Sequence, residues 1–257
     1  MQEPNVLKLR AGLVGLGIMG RHHARVMSSL EDVNFVGAYD KLMDANEIDF
    51  QGVPNCRSLE ELISRKIDYA VVAVPTEFHL PVIQELASHG INVLIEKPLS
   101  QSLDTAKEIK SVCQNIIAGI GHVERFNPAI SEARNRLEML GDIFQIITSR
   151  QGPNPQRVKD VGVVYDLATH DIDATSWITN SSYKSLSART KKHLGGDHED
   201  LVSVVASLNS EIIVNHSVNW LSPFKERLVT ITGEKGALEA DMLTGDLTFF
   251  ANGTKQN

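Results

Sequence analysis

The chain has 257 residues, and 42% of them are hydrophobic, enough to fill the cores of one large or two smaller α/β domains. Its net charge of -7 excludes the strongly basic surface of proteins that bind nucleic acid or acidic lipid, so the expected partner is a small molecule. Cys56 and Cys113 lie far apart without a CxxC motif, which excludes a disulfide framework and a zinc-finger type of site.

Targeting segments are not expected. No apolar run approaches the roughly 18 to 20 residues that span a bilayer, so no transmembrane segment is predicted. Lys8 and Arg10 precede an apolar run, as in a secretory signal peptide, but "RHHAR" follows where a small-residue cleavage site is needed. The sequence therefore predicts a cytoplasmic protein with no membrane partner.

Strands and helices alternate through the first half of the chain. Strands are predicted at "LKLRAGLVG", "VNFVGAYD", "DYAVVAVP", "INVLIEKP" and "NIIAGIG", and helices at "IMGRHHARVMSSL", "SLEELISRK", "EFHLPVIQELASHG" and "SLDTAKEIKSVC". Ser58 and Glu61 have the spacing of a capping box, and Gly90 is expected just past a helix end. The first helix offers four apolar side chains for burial, Ile18, Met19, Val26 and Leu30. This alternation predicts a Rossmann domain over residues 1–121, with a doubly wound parallel sheet.

The pattern changes after residue 121. Helices are predicted at "NPAISEARNRLEML" and "VYDLATHDIDATSWIT", and most of the remaining segments have the composition of strands. Short links such as "NS" at 209–210 and "GEKG" at 233–236 are typical of hairpins. Residues 122–257 are therefore predicted to form an α+β domain with a large, open and mostly antiparallel sheet.

Three glycines follow the first predicted strand in the pattern Gly15-x-Gly17-x-x-Gly20. A motif of this kind alone equally serves a plain turn, but here a strand precedes it, a helix starts within it, and Asp40 closes the next strand. Such a loop places a pyrophosphate at a helix N-terminus, and a carboxylate at the position of Asp40 accepts hydrogen bonds from a ribose. The pattern predicts NAD, and Lys41 leaves NADP as the alternative.

Polar residues follow the later strands of the predicted sheet, at the edge where open α/β sheets bind ligands. Pro75, Thr76 and His79 follow one strand, and Glu96-Lys97-Pro98 follows the next. A lysine held there by a proline, close to a cationic nicotinamide, is suited to proton transfer or to stabilising an alkoxide. The alternative for Lys97 is an ordinary surface lysine.

A second polar cluster lies in "YDLATHDIDATSW", residues 165–177. On a helix, Asp166 and His170 share a face, with Asp173 one turn further along. Histidine is the natural base for a hydroxyl proton, and the alternative is a capping Asp beside a partly buried His. No metal is predicted, because "KKHLGGDHED" reads as a polar loop between strands. Trp177 and Trp220 are expected to be core or interface aromatics.

Five motifs in order, "GLGIMGRHHARV", "AVPTEFH", "EKPLS", "GHVERFNP" and "VYDLATHDID", resemble those of the Gfo/Idh/MocA family of NAD(P)-dependent sugar and cyclitol dehydrogenases. The late "TGEKGALEAD" is also similar to that family. The resemblance implies a site between a Rossmann domain and a second domain, with Lys97 as the catalytic lysine. It further implies that His170 accepts the proton, with Asp166 as its partner or as a substrate contact.

The site residues that follow from the motifs and the resemblance fall into two groups. Predicted cofactor contacts are Gly15, Gly17, Ile18, Met19, Gly20, Asp40, Pro75, Thr76, His79 and Glu96. Predicted substrate contacts are Lys97, Arg125, Asn127, Asp166 and His170.

The substrate is expected to be a sugar. "GHVERFNPAI" with "YDLATHDID" resembles the branch that oxidises the 3-hydroxyl of UDP-N-acetylglucosamine or its uronate. Arg125, Arg150, Arg157 and Lys159 are basic residues that could neutralise its diphosphate; for the last three, a solvated charge cluster is the alternative. The other open functions are dehydrogenation of inositol or a free hexose, NAD-dependent glycoside cleavage, and NAD binding without catalysis.

The chain departs from the family pattern at two places, and the open sheet predicted for its second domain leaves one face uncovered. The family often has a glycine pair before the Asp, whereas Gly162-Val163-Val164-Tyr165 stands here, which is expected to reshape the substrate pocket. Family members usually continue past "GDLTFF" into a final helix, so a C-terminal element is expected to be missing or the chain shortened. The open sheet needs a cover on its exposed face, which predicts a homodimer or homotetramer.

Overall fold

The computed structural model describes residues 8–42, 52–155 and 161–253. The chain divides into two compact units, Met1–Gly121 and His122–Asn257, each built on a sheet of its own. Among the described residues, no helix combines the length and the apolar character needed to cross a bilayer.

The N-terminal unit has a six-stranded parallel sheet in the order β3-β2-β1-β4-β5-β6. Its strands are β1 (Leu9–Val14), β2 (Val33–Tyr39), β3 (Asn55–Cys56), β4 (Tyr69–Val72), β5 (Asn92–Ile95) and β6 (Ala118–Ile120). Its helices are α1 (Ile18–Ser29), α2 (Leu59–Ser64), α3 (His79–Ser88) and α4 (Leu103–Val112). The strand order reverses direction beside β1, which is the arrangement of a Rossmann fold and confirms the predicted fold class.

Both faces of this sheet are covered. Val71 of β4 packs in a cluster with Ala24 and Met27 of α1, whereas Ala70 and Val72 pack in the cluster that contains residues of α2, α3 and α4. Alternate side chains of one strand therefore serve opposite layers, as expected for a strand buried on both faces.

The buried face of α1 differs from the prediction. Gly20, Ala24 and Met27 are the buried residues, whereas the four side chains expected to be buried are exposed: Ile18, Met19, Val26 and Leu30. The small residues Gly20 and Ala24 let the helix approach the sheet closely, so the buried face of the helix has few large hydrophobic side chains. A pattern based on large apolar side chains selects the wrong face in such a helix.

The predicted helix ends are largely as expected. The Ser58 hydroxyl accepts the N–H of Glu61, whereas the Glu61 carboxylate accepts the N–H of Arg57, one residue before the position that a reciprocal capping box uses. Gly90, one residue past the C-cap His89 of α3, has φ +70° and donates its N–H to the Ala87 carbonyl.

The C-terminal unit has a seven-stranded sheet in the order β13-β12-β11-β7-β10-β9-β8. The strands are β7 (Ile143–Pro153), β8 (Tyr183–Lys191), β9 (Leu201–Leu208), β10 (Ile213–Asn219), β11 (Leu221–Gly233), β12 (Gly236–Asp241) and β13 (Asp246–Ala251). All pairs are antiparallel except β7 with β10, which confirms the predicted open, mostly antiparallel sheet. The links 209–210 and 233–236 form hairpins, as predicted.

Helices α5 (Pro128–Asn135) and α6 (Thr169–Thr179) pack with one face of this sheet in a single hydrophobic core. Trp220 is buried in that core, and Trp177 packs against it with the Arg134 guanidinium 4.3 Å from its ring centroid, so both are core aromatics as predicted. On the opposite face of the sheet, Ile147, Val205 and Ile213 are exposed.

Candidate functional site

The three glycines of the first loop each meet a different steric requirement. Gly15 has φ +97°, and a Cβ on it would lie 2.6 Å from the main chain of Ala73. A Cβ on Gly20 would overlap the carbonyl oxygen of Gly15, so the helix packs against the loop only because Gly20 has no side chain. No described atom lies within 4 Å of the Cβ position of Gly17, so its main chain is open to close approach. These are the turn, approach and packing roles of a dinucleotide loop.

The N-terminus of α1 is suited to bind an anion. Gly17 is the N-cap and supplies no side-chain oxygen, and the first turn of the helix contains no acidic residue. Its N–H groups and the positive end of the helix dipole therefore favour a phosphate. Ile18 and Met19, the predicted cofactor contacts of this turn, are exposed.

Asp40 directly follows β2 and is joined to the glycine loop. One carboxylate oxygen accepts the N–H of Leu16 at 2.7 Å, and the other accepts the N–H of Leu42 at 2.8 Å. Each oxygen retains a further lone pair for a ribose hydroxyl. The sequence placed Asp40 near the cofactor loop, but it carried no signal for the bond to Leu16.

The loop after β4 holds Pro75 at the surface and Thr76 half-buried at the start of a short 3-10 helix. His79 differs from its predicted role beside the cofactor. Its ring is 1% exposed, and its two nitrogens lie 3.1 Å from the carbonyl oxygens of Leu99 and Val74. Burial lowers the pKa of His79 despite these carbonyls. His79 therefore braces the loop after β4 against the loop after β5 and offers no ring nitrogen to a ligand.

Glu96 and Lys97 directly follow β5. Glu96 is buried, and its carboxylate accepts a hydrogen bond from His23 Nε2 at 2.7 Å and from the N–H of Lys97 at 3.1 Å. Burial alone would raise the pKa of Glu96, but His23 and the Lys97 N–H outweigh it and hold that pKa below its usual range. The carboxylate thus ties α1 to the main chain of Lys97, whose side chain is half-buried.

His23 is a site residue that the sequence did not single out. Its only local signal is its position on α1, three residues after Gly20. Glu96, predicted as a cofactor contact, accepts hydrogen bonds from protein donors with both carboxylate oxygens.

The structure places the glycine loop, Asp40, Thr76 and Lys97 at the carboxyl edge of one sheet, because each of them follows a strand of that sheet.

In the C-terminal unit, Asp166 and His170 lie on one continuous helical stretch, both half-buried. A single π-turn, Val164–Ala168, precedes α6, and Thr169 donates its N–H to the carbonyl of Val164, five residues earlier. The prediction of a helix is correct, but hydrophobic periodicity cannot distinguish an α-turn from a π-turn over five residues. Such turns occur frequently at functional sites.

Arg125 is held beside the same helix. Its Nε donates to Asp173 Oδ2 at 2.8 Å and its terminal nitrogen to Asp173 Oδ1 at 2.5 Å. The hydrogen bonds that Arg125 donates to the Asp173 carboxylate raise the pKa of Arg125. Nε2 of His122 lies 3.7 Å from the same carboxylate. The structure thus places Arg125 one helical turn from His170, because Asp173 and His170 are three residues apart.

Two of the residues predicted to contact the substrate, Asn127 and Arg150, form hydrogen bonds within the protein. The Asn127 side chain caps α5 by accepting the N–H of Ala129 at 3.1 Å, and its amide donates to the Met242 carbonyl at 3.0 Å. Arg150 is 2% exposed, so it is not available to neutralise a diphosphate. It donates to Asp171 at 2.8 Å and to Glu124 at 2.9 Å, and these carboxylates raise its pKa against the opposing effect of burial.

The remaining two basic residues proposed for the diphosphate, Arg157 and Lys159, lie outside the described residues. Arg125 is therefore the one member of that set that the structure describes at the surface of the candidate site.

Residues 9–116 match the family model described as "Oxidoreductase family, NAD-binding Rossmann fold". Residues 132–239 match the model described as "GFO/IDH/MocA C-terminal domain". The N-terminal unit is therefore an NAD-binding Rossmann domain, as predicted, and its open glycine loop and uncapped helix fit that cofactor.

Similar proteins include named dehydrogenases. UDP-N-acetylglucosamine 3-dehydrogenase of Acidithiobacillus ferrooxidans is 24% identical over 255 residues, covering 96% of this chain and 79% of that protein. Inositol 2-dehydrogenase of Rhizobium meliloti is 25% identical over 254 residues, covering 91% and 76%. A solved structure of the former enzyme superposes with a TM-score of 0.85 at 23% identity, covering 95% of this chain and 80% of that chain.

Proposed function

The chain belongs to the Gfo/Idh/MocA family of oxidoreductases, and we propose that it is an NAD-dependent sugar dehydrogenase. The proposed substrate is a UDP-N-acetylhexosamine or its uronate, oxidised at the 3-hydroxyl. The observation that carries the proposal is that the open main chain of Gly17, the carboxylate of Asp40 and Lys97 all lie at the carboxyl edge of the Rossmann sheet. Relatives named as dehydrogenases of a nucleotide sugar and of inositol support a polyol substrate.

Each proposed catalytic side chain has one role. NAD+, when bound, supplies the acceptor for the hydride that leaves the sugar carbon. His170 accepts the proton of the hydroxyl on that carbon, and Asp166 orients it. Lys97 stabilises the alkoxide that develops as the proton leaves, so the carbon–oxygen bond becomes a carbonyl.

Substrate and cofactor contacts follow from charge. Asp173 uses two of the five guanidinium N–H donors of Arg125, which leaves three to bind a substrate phosphate or carboxylate. Asp40 disfavours the 2′-phosphate of NADP through like-charge repulsion, so NAD should bind more tightly than NADP.

The test is an absorbance assay for reduced cofactor. Purified protein is mixed with NAD+ and separately with UDP-N-acetylglucosamine, its uronate, UDP-galactose, myo-inositol and glucose. Reduction with the first two alone is the expected result. Reduction with inositol or glucose alone would transfer the proposal to those substrates, and no reduction with any compound would refute it.

The other two functions left open by the sequence are outcomes of related assays. An NAD-dependent glycosidase would release an aglycone from a chromogenic glycoside without net cofactor reduction. A regulator that binds NAD without catalysis would show NAD binding that Lys97→Ala and His170→Asn leave unchanged, and no turnover of any compound.

We also propose that the protein is a cytoplasmic homodimer or homotetramer. The exposed side chains of Ile147, Val205 and Ile213 on the outer face of the large sheet support a second copy as the cover. Light scattering of the purified protein tests the mass, and replacing Val205 with Lys should reduce it to that of a monomer.

A further inference from the structure

The helical stretch that carries Asp166 and His170 begins against a residue from a distant loop. The main-chain carbonyl of Glu199 accepts the N–H of Val163 at 2.9 Å, and its carboxylate accepts the N–H of Val164 at 3.1 Å. N–H groups in the first turn of a helix have no partner within the helix, so an external acceptor must satisfy them. A carboxylate there also interacts favourably with the helix dipole. Glu199 therefore caps this helix from 35 residues further along the chain.

The Glu199 carboxylate fits against the helix start because Gly162 has no side chain. A Cβ on Gly162 would overlap all three atoms of the Glu199 carboxylate group. The carbonyl of Gly162 in turn accepts the N–H of Asp166 at 3.0 Å. The Glu199 carboxylate thus fills the space where a side chain of Gly162 would lie, and the carbonyl of Gly162 holds the main chain of Asp166.

The loop that supplies Glu199 is itself attached to the sheet. Asp200 is 3% exposed, and one of its carboxylate oxygens accepts the N–H groups of His193 and Leu194, each at 2.6 Å. Its main chain pairs with Lys191 at 3.0 Å and with Trp220 at 2.9 Å. The polar loop between β8 and β9 therefore ends at a fixed point on the sheet, and Glu199 lies one residue before that point.

We propose that Glu199, together with Gly162, is a positioning residue that sets where the π-turn begins and so aims Asp166 and His170. The catalytic effect of Glu199 rests on the proposed function, in which Asp166 and His170 act on the substrate. Glu199 itself bonds only the main chain of the helix and acts through those two residues. Loss of the carboxylate leaves the Val164 N–H without its acceptor and allows the first turn to shift. Small displacements of aligned catalytic groups cost about ten- to hundredfold in rate.

The variants for the test are Glu199→Ala, Glu199→Gln and the matched control His198→Ala. His198 is the exposed neighbour of Glu199 in the same loop. Glu199→Ala should lower kcat about ten- to hundredfold with the NAD dissociation constant unchanged. Glu199→Gln should recover most of the rate, because its amide oxygen can still accept the Val164 N–H. His198→Ala should match the wild type.

A second pair of variants tests the steric match. Gly162→Ala places a methyl against the carboxylate, and Gly162→Ala with Glu199→Ala removes that overlap. The double variant should therefore be more stable to urea than the sum of the two single effects predicts. Additive effects would contradict the contact between these two residues.

An NMR readout separates this inference from the proposed function. The imidazole signal of His170, assigned by its loss in His170→Asn, should move in Glu199→Ala and stay at the wild-type position in Glu199→Gln and His198→Ala. An unmoved signal in Glu199→Ala, or a wild-type kcat in that variant, overturns the positioning role. If no sugar is oxidised but the signal moves as expected, the positioning role stands and the proposed function fails.

Discussion

Replacing Gly17 with alanine should separate cofactor binding from folding. No described atom lies within 4 Å of the Gly17 Cβ position, and its φ of -64° suits any residue. The free energy of unfolding should therefore change by less than about 1 kcal/mol. A methyl group on the main chain that approaches the pyrophosphate should weaken NAD binding about ten- to hundredfold, or about 1.4–2.7 kcal/mol.

Gly15→Ala provides the contrasting case in the same loop. Its Cβ would lie 2.6 Å from the Ala73 main chain, about 0.9 Å closer than an ordinary carbon contact of about 3.5 Å. Overpacking costs about 1–3 kcal/mol, and the φ of +97° adds about 1–2 kcal/mol for a residue with a side chain. Gly15→Ala should therefore lose about 2–5 kcal/mol of stability.

Urea unfolding and calorimetric titration with NAD+ measure the two effects separately. Gly196→Ala is the control, since its Cβ position is also open and it lies in the loop between β8 and β9. Wild-type NAD affinity in Gly17→Ala would refute the assignment of this loop as the pyrophosphate site. If Gly17→Ala lost as much free energy of unfolding as free energy of NAD binding, the claim that Gly17 serves cofactor binding and not folding would be refuted.

Three further changes have defined outcomes. Lys97→Met should lower kcat about 10²–10⁴-fold and leave NAD affinity unchanged, and an unchanged kcat would exclude Lys97 from catalysis. Arg150→Met leaves the buried Asp171 without its cation and should cost about 3–5 kcal/mol in urea unfolding, whereas Lys184→Met, at an exposed ion pair, should cost about 1 kcal/mol or less. Burial lowers the pKa of His216 to about 4, so only the unfolded state takes up its proton as pH falls from about 6.5 to about 4, and stability should fall by about 3 kcal/mol in total. His216→Gln should remove this part of the pH dependence, and unfolding curves at pH 7 and pH 4.5 that are shifted equally in both proteins would contradict it.

The fold and cofactor site were predictable because their signals are local. Gly15, Gly17 and Gly20 stand in one short motif between a strand and a helix, although the approach of Gly15 to Ala73 was not predictable. Strand–helix alternation indicates a parallel sheet without knowledge of distant contacts. Asp40 was predictable as a carboxylate at a strand end, although its bond to Leu16 was not.

The contacts that the sequence did not predict join side chains that are remote in sequence. His79 faces the carbonyl of Leu99, Asn127 donates to Met242, and Arg150 pairs with Asp171 under the helix. No spacing rule joins such residues, because tertiary packing brings them together. Glu199 belongs to the same class, since its effect on the helix start depends on a contact across 35 residues.

Hydride transfer from carbon 3 of a nucleotide sugar is the central claim, and isotope transfer tests it most directly. The protein is incubated with NAD+ and UDP-N-acetylglucosamine that carries deuterium at carbon 3, and the reduced cofactor is analysed by mass spectrometry. Reduced cofactor that is one mass unit heavier than normal is the predicted result. Reduced cofactor of ordinary mass would assign the hydride to another carbon, and the absence of reduced cofactor would contradict oxidation of this sugar altogether.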